Sequence, residues 1–269
     1  DAEVFWSFRP IRTPEIPESS YGQVDSNPID RFLARKLVGK GLQFSPPADK
    51  ATLLRRLSYD LLGLPPAPAD VRRFLADKRP DAYQRMVDRL LASPRYGERW
   101  GRHWLDLAGY ADSEGKRSAD TIRPWAWRYR DYVVDAFNDD KPYDDFLREQ
   151  IAGDLLRASN DAERAEHLIA TGYLAVGTRS PNESDLKKFL LENADEQIDA
   201  LSRGLLGLTI ACARCHDHKF DPIRQSDYYA LAGIFTSTET LFGGVRGPQV
   251  RQATEFVFTA RNRRSPISR

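Results

Sequence analysis

The segment CARCHDHKF, residues 212–220, contains both cysteines of the chain and two of its four histidines. Its first five residues fit C-x-x-C-H, the attachment pattern of c-type haem. Two thiols at this spacing can reach the two vinyl groups on one porphyrin edge, and the histidine that follows can offer its imidazole to the iron. The segment therefore predicts one covalent haem c, attached at Cys212 and Cys215, with His216 as an axial ligand.

Three other interpretations of this segment stay open. Cys212, Cys215, His216 and His218 could bind zinc in a zinc-stabilised structural domain, although structural zinc sites usually take their ligands from two separated segments. A redox dithiol is typical of a βαβ context, whereas the preceding residues DEQIDALSRGLLGLTIA have the pattern of a helix. The thiols could also be buried side chains next to incidental histidines.

The segment YGERWGRHWLDLAGYAD supplies candidates for the far side of the haem. On a helix, Trp100, His103 and Trp104 share one face, and such a face could form a wall of a haem pocket. We expect His103 in or against that pocket as a candidate second axial ligand, although a core histidine is the alternative. Met86, the only methionine, is expected in a core face, and His167 on a helix surface.

Proton transfer and substrate binding require further polar groups near the haem. The candidates are His103, Asp106, Asp112 and His218. Asp112 begins an acid-rich loop, residues 112–124, in which carboxylates beside Arg and Trp suit carbohydrate or carboxylate binding, or simply contact solvent. A second acid-rich segment, ENADEQID, could bind a cation, orient His216 or form a solvated helix face.

The composition of the chain limits which partners it can bind and where in the cell it can be located. The chain has 269 residues with 40 Lys and Arg against 39 Asp and Glu, so its net charge of +1 gives no electrostatic basis for binding nucleic acid. No apolar run approaches the length of a membrane span, and no signal peptide is present, although a cleaved leader could precede Asp1. Because bacteria attach haem covalently on the exported side of the membrane, we expect a periplasmic or cell-surface protein.

The elements around the motif are predicted to be almost all helical. Residues 1–26 are punctuated by proline and predict an extended arm, and residues 27–240 predict one helical c-haem domain. Residues 241–269 predict a tail whose strand-like run ATEFVFTA would pair with a missing domain or a second chain. The apolar spacing and the capping residues predict helices at 27–41, 49–62, 68–77, 80–92, 94–110, 125–139, 142–152, 161–172, 185–211 and 226–236.

The haem motif and its candidate neighbours belong to different predicted helices. The cysteines are expected near the C-terminal end of the 185–211 helix, and the 94–110 helix is expected to pack over the haem. The fold class is therefore a mostly α, multi-helix single domain.

Several longer segments together resemble the planctomycete cytochrome-c-associated proteins, a domain of unknown function abbreviated PSCyt. They are NPIDRFLARKL, LLRRLSYDLLGLPP, YQRMVDRLLASPRYGERWGRHWLDLAGYADSEG, WAWRYRDYVVDAFNDDKPYDDFLREQIAGDLL and GLTIACARCHDHKFDPIRQSDYYALAGIF. The resemblance implies an exported helical protein, often fused to a small cytochrome c module and a second uncharacterised domain. It also implies a setting of sulfatases and polysaccharide-degrading enzymes. Gly109 departs from the family pattern, in which Arg is common there.

These observations predict an exported c-type haem protein, an oxidoreductase or electron-transfer component linked to polysaccharide use. A chain of 269 residues is large for one haem, which suggests that a second molecule is bound beside it. The expected partners are a small cytochrome c or another redox protein and, from the resemblance, a glycan. A non-catalytic electron carrier or docking module is the alternative, together with the zinc-stabilised domain.

Overall fold

The structure is a computed structural model, and it describes residues 6–18, 27–113, 122–178, 183, 185–238 and 240. The described residues form ten α-helices and contain no β-strand, which confirms the mostly α fold class. The chain divides into two compact units, Asp1–Leu53 and Leu54–Arg269, a division that the sequence analysis did not anticipate. The domain boundaries after residues 26 and 240 stay predictions, and the strand-like run 253–260 lies outside the described residues.

The first helix illustrates how local sequence sets the helix boundaries. Helix α1 spans Pro28–Val38, and the Asn27 side chain caps it by accepting a hydrogen bond from the Asp30 amide. Proline suits the first helical position because its missing N–H has no partner there in any helix. Within the predicted arm, Trp6–Phe8 form a 3-10 turn, and residues 10–18 have no regular structure.

The other helices follow the predicted order and, with one exception, the predicted boundaries to within a few residues. None of the described helices combines the length and the apolar character that crossing a membrane requires. The helices are α2 (Lys50–Leu62), α3 (Pro68–Ala76), α4 (Ala82–Leu91), α5 (Arg95–Leu107), α6 (Ala126–Asn138), α7 (Tyr143–Ala152), α8 (Asp161–Ala170), α9 (Leu186–Leu201) and α10 (Gln225–Thr236).

Helices α2, α3 and α4 share a small apolar core that contains Leu54, Phe74 and Met86. Met86 is 6% exposed, so the prediction that this methionine belongs to a core face is confirmed. Its sulfur also accepts a hydrogen bond of 3.2 Å from the Arg89 guanidinium.

An aromatic core joins helices α5 to α8. The Trp104 ring lies 4.8 Å from Phe146 and 5.3 Å from Tyr173, measured between ring centroids. Its indole N–H donates to the Tyr129 hydroxyl at 3.0 Å, and that hydroxyl donates to the Gln150 carbonyl oxygen at 2.7 Å. Aromatic side chains with polar atoms can be buried in this way because their polar atoms find partners.

The prediction that His167 lies on the helix surface is wrong, since the residue is 7% exposed. Its Nε2 lies 3.8 Å from Glu149 Oε1, and the other oxygen of that carboxylate accepts hydrogen bonds from Tyr132 and Lys141. His167 is buried because the chain segment just after α7 lies very close to α8. A Cβ on Gly153 would lie 2.1 Å from the His167 carbonyl oxygen, so only glycine allows this packing.

Gly109 has a structural role at the end of α5. Its φ is +64°, in the left-handed region that favours glycine. The Tyr110 amide donates back to the Leu105 carbonyl at 3.0 Å, and the Gly109 amide to Asp106 at 3.3 Å, the paired pattern of a Schellman end. Gly109 therefore ends the helix.

Candidate functional site

The motif cysteines do not lie on the helix that the sequence predicted for residues 185–211. Helix α9 ends at Leu201 and continues as a π turn, Ser202–Leu206. Gly207, at φ +65°, then turns the chain. Cys212 belongs to a separate 3-10 turn, Ile210–Arg214, which we call the cysteine turn.

A tyrosine from an earlier segment accounts for the early end of α9. The Tyr173 hydroxyl donates to the Ala200 carbonyl at 2.7 Å, and an α-helix would offer that carbonyl to the amide of residue 204. Gly204 makes room, since a Cβ there would lie 2.5 Å from the Tyr173 hydroxyl oxygen. Side chains that enter the backbone ladder in this way cause π turns and kinks. The chain therefore leaves the α9 axis before it reaches the cysteines.

The cysteine turn buries one side and leaves its reactive groups exposed. Ile210 and Ala213 are buried together with Ile198 of α9 and Tyr228 of α10. Both cysteines are free and exposed, and His216, just after the turn, is exposed as well. The three groups of the haem motif are therefore accessible on a segment whose other side is anchored in a core.

Polar contacts also anchor the cysteine turn to α9 and α10. Arg214 lies between the cysteines, and its Nη1 is 3.0 Å from Asp195 Oδ2. Tyr228 donates to the other oxygen of Asp195 at 2.6 Å, and burial together with this hydrogen bond raises the pKa of the Tyr228 hydroxyl. The Arg214 carbonyl accepts hydrogen bonds from Gln225 and Tyr229 at 3.1 and 3.2 Å.

The acidic face of α9 is therefore satisfied by protein groups. Asp195 anchors the cysteine turn through Arg214. The neighbouring acidic residues have partners as well. Glu192 pairs with Lys188, Glu196 accepts a hydrogen bond from the Thr178 amide, and Asp199 pairs with Arg203. Within the described part of the chain, no three side chains of His, Cys, Asp or Glu are gathered to hold a metal ion.

His218 links the chain before the motif to the chain after it. Its side chain is 7% exposed. Its Nδ1 accepts hydrogen bonds from the amides of Asp221 and Phe220 at 2.9 and 3.3 Å, so the ring proton belongs to Nε2. That nitrogen lies 3.0 Å from the Thr209 hydroxyl oxygen and donates to it. Both ring nitrogens are thus used in a clasp that closes the loop carrying the haem motif.

Replacing His218 by alanine is expected to destabilise the protein by about 1–2 kcal/mol, because the hydrogen bonds of the ring to the Thr209 hydroxyl and to two amides are lost. Thermal unfolding of the haem-free chains, followed by circular dichroism, measures the change. The matched control is His216→Ala, two residues away, whose exposed ring should contribute little to the stability. Equal melting temperatures for the two variants would show that the clasp does not hold the loop.

His216 has the hydrogen-bonding arrangement of a histidine ligand. Its Nδ1 lies 2.8 Å from the Asp217 carbonyl oxygen, an acceptor, so Nδ1 carries the ring proton. The lone pair is then on Nε2. Histidines that bind metals commonly donate from one nitrogen to a carbonyl and coordinate with the other.

The residues predicted on α5 differ in how deeply they are buried. Trp104 is 6% exposed and belongs to the aromatic core, whereas Trp100 is 37% exposed and His103 is exposed. The rings of Trp100 and His103 lie 5.5 Å apart, with 59° between their planes. Asp106 is exposed, and its carboxylate lies 3.9 Å from the Arg102 guanidinium. The three positions are neighbours on the helix surface, but only Trp104 is buried, so a shared wall of a haem pocket stays a prediction.

The predicted catalytic groups are distributed over separate places. Helix α5, with His103 and Asp106, packs mainly on α6, whereas the cysteine turn packs mainly on α9 and α10. Asp112 accepts a hydrogen bond of 2.5 Å from Tyr110 and lies 4.0 Å from Arg130. Most of its loop, residues 114–121, lies outside the described residues. Packing of the 94–110 helix over the haem stays a prediction.

Some residues that shape the site could not be found from the sequence. Tyr173 and Thr209 belong to no motif, and their roles depend on partners that the fold supplies. Asp195 was recognisable as an acidic residue, yet its bond to Arg214 spans 19 positions of the chain.

Comparison with known proteins gave one match. A family model described as PSCyt2, Protein of unknown function (DUF1549), matches residues 28–240. No curated protein and no solved structure matches the chain.

Proposed function

The chain belongs to the PSCyt2 family of proteins of unknown function (DUF1549), and we propose that it is a c-type haem protein with one haem attached at Cys212 and Cys215. The observation that carries the proposal is the exposure of both thiols, one on the anchored cysteine turn and one directly after it, followed by a histidine whose Nε2 carries a lone pair. Covalent attachment needs accessible thiols, and iron ligation needs that nitrogen.

The remaining residues of the loop suit this group. A porphyrin is a flat apolar plate, and burial of apolar side chains against it is favourable. Phe220 is 70% exposed and lies four residues after His216, and Leu206 and Tyr229 are exposed on either side of the motif in the sequence. The clasp of His218 and the bond between Asp195 and Arg214 would hold the attachment residues in place.

The donor arrangement favours haem over zinc. A structural zinc ion needs four ligands that converge on one point. In the described part of the chain, the motif residues are not gathered in this way, and the buried His218 already uses both ring nitrogens. Haem needs no such convergence, because the thiols bond to the porphyrin edge and only the histidine meets the iron.

A haem, when bound, supplies one-electron redox chemistry. We therefore propose an oxidoreductase or electron-transfer component that exchanges electrons with a small cytochrome c or a similar carrier. Covalent attachment implies an exported, periplasmic or cell-surface location. A glycan substrate rests on the family resemblance alone, and His103, Asp106 and Asp112 are its candidate binding or proton-transfer residues.

The decisive experiment is to produce the protein with an export signal in a host that attaches haem c. We expect a coloured protein whose haem resists extraction by acid and acetone, and whose intact mass includes one haem. Spectra of the oxidised and reduced protein would show a haem with saturated side chains. A colourless protein, or haem that extracts freely, would overturn the proposal, and stoichiometric zinc would support the structural alternative.

A further inference from the structure

We propose that the iron of a haem bound at the cysteine turn has only one protein ligand, His216, and that its sixth position takes a small exogenous ligand. The class comprises carbon monoxide and similar diatomic molecules and small anions such as cyanide. This inference rests on the proposed function. The chain has four histidines and one methionine, and all of them lie in the described residues. A second ligand of either type would have to be His103, His167, His218 or Met86.

Met86 and His167 are buried in cores that other elements build. Met86 is packed among α2, α3 and α4, and its sulfur accepts a hydrogen bond from Arg89. His167 is buried beside Glu149, where the backbones at Gly153 and α8 are in contact. Either side chain could reach a haem only after its core had opened, which would lose the burial of several apolar groups.

His218 is close to His216 in the sequence, but both of its ring nitrogens already form hydrogen bonds. Its Nδ1 accepts hydrogen bonds from the amides of Asp221 and Phe220, and its Nε2–H donates one to the Thr209 hydroxyl. Ligation would break one of these contacts and open the loop that they close. His218 is also only two residues from His216, and a short chain segment cannot place both imidazoles on opposite faces of one porphyrin.

His103 is the remaining histidine with an exposed ring. Its ring lies 5.5 Å from that of Trp100, whereas the next residue, Trp104, is buried in the aromatic core. Helix α5 packs mainly on α6, and the thioethers would hold the porphyrin at a turn that packs mainly on α9 and α10. Ligation of the iron by His103 stays a prediction. It is the main alternative to a sixth position without a protein ligand.

The cysteines and tyrosines near the cysteine turn would also be engaged in other bonds. Both thiols would be consumed by the thioethers. The two adjacent tyrosines donate their hydroxyl protons, Tyr228 to Asp195 and Tyr229 to the Arg214 carbonyl. Tyrosine binds iron as a phenolate, so a phenol that keeps its proton in a hydrogen bond is a poor ligand.

An open position would distinguish this protein from a simple electron carrier, in which two protein ligands commonly hold the iron. Phe220, the exposed aromatic side chain of the same loop, brings no ligating atom. The iron could then bind a small molecule from solution while His216 holds it from the other side.

The test uses the full-length protein with its attached haem, in the ferric and the ferrous state. We expect a high-spin ferric spectrum, and we expect carbon monoxide to bind the ferrous haem with a shift of the Soret band. His103→Ala should leave the spin state and carbon monoxide binding unchanged, whereas His216→Ala should alter both. Titration with cyanide supplies an independent readout on the ferric form.

Two results would overturn the inference while leaving the proposed function intact. One is a low-spin ferric haem that binds no carbon monoxide and becomes high-spin in His103→Ala, since His103 would then be the second ligand. The other is the same low-spin, unreactive haem unchanged by that substitution, because some other group would then fill the position. A protein without covalent haem would contradict the proposed function itself, so the two failures are distinguishable.

Discussion

Replacing Cys212 and Cys215 together by alanine is expected to abolish covalent haem attachment and to leave the folded chain nearly as stable as before. In the proposed attachment each thiol would supply one thioether, so the double variant would have no covalent link to the porphyrin. Both cysteines are exposed, and exposed substitutions away from special contacts usually change stability by no more than about 0.5 kcal/mol. Intact mass and a haem stain after denaturing electrophoresis measure attachment, and thermal unfolding of the haem-free chains measures stability.

Single variants refine this test. Cys212→Ala and Cys215→Ala should each keep one thioether, and the vinyl group that remains should shift the absorption of the reduced haem to longer wavelength. Lys219→Ala is the matched control, because it changes an exposed residue of the same loop and keeps the C-x-x-C-H pattern. If the double variant still carries haem that resists extraction, the assignment of Cys212 and Cys215 is wrong.

Replacing Gly97 by alanine is expected to destabilise the protein by about 3 kcal/mol, the upper part of the usual range for overpacking. A Cβ at this position would lie 2.3 Å from the Val134 carbonyl oxygen and 2.7 Å from the Asn138 side chain. The first of these atoms is backbone of α6, so the two helices would have to separate. The Gly97 amide also donates to the Asn138 side chain at 2.8 Å, a bond that the separation would weaken. The melting temperature should fall by about 6–12 °C.

Gly101, one turn further along α5, is the matched control. A Cβ there would meet Val133 Cγ1 at 3.4 Å, an ordinary contact with a side chain. Alanine in a helix interior is favoured over glycine by about 0.5–1 kcal/mol, so Gly101→Ala should be neutral or slightly stabilising. Equal losses at both positions would mean that the close approach at Gly97 does not limit the packing of α5 on α6.

Features whose causes lie within a few residues could be predicted from the sequence. The start of α1 follows from Asn27 and Pro28, which satisfy or remove unpaired amides in the first turn. The core position of Met86 follows from apolar residues at helical spacing. The haem motif is likewise local, because the two thiols and the histidine are set by their spacing along the chain.

Which side chains of α5 are buried was harder to predict, because several aromatic residues are neighbours on its surface. By their spacing in the sequence, Trp100, His103 and Trp104 fit one helical face equally well. The tertiary structure turns Trp104 into the core, where Tyr129 satisfies its indole N–H, and leaves the other two outside. His167 was misjudged for a related reason, since the Gly153 contact that buries it lies on another element.

The sequence by itself determined the helical fold class and the groups that could attach a haem. Only the tertiary structure decided how those groups are presented. The π turn after α9 depends on a hydrogen bond between Tyr173 and Ala200, 27 positions apart, and the anchoring of the cysteine turn depends on one between Asp195 and Tyr228, 33 positions apart. Helix caps and spacing act within one or two turns of the chain, whereas these bonds exist only after packing has brought distant elements together.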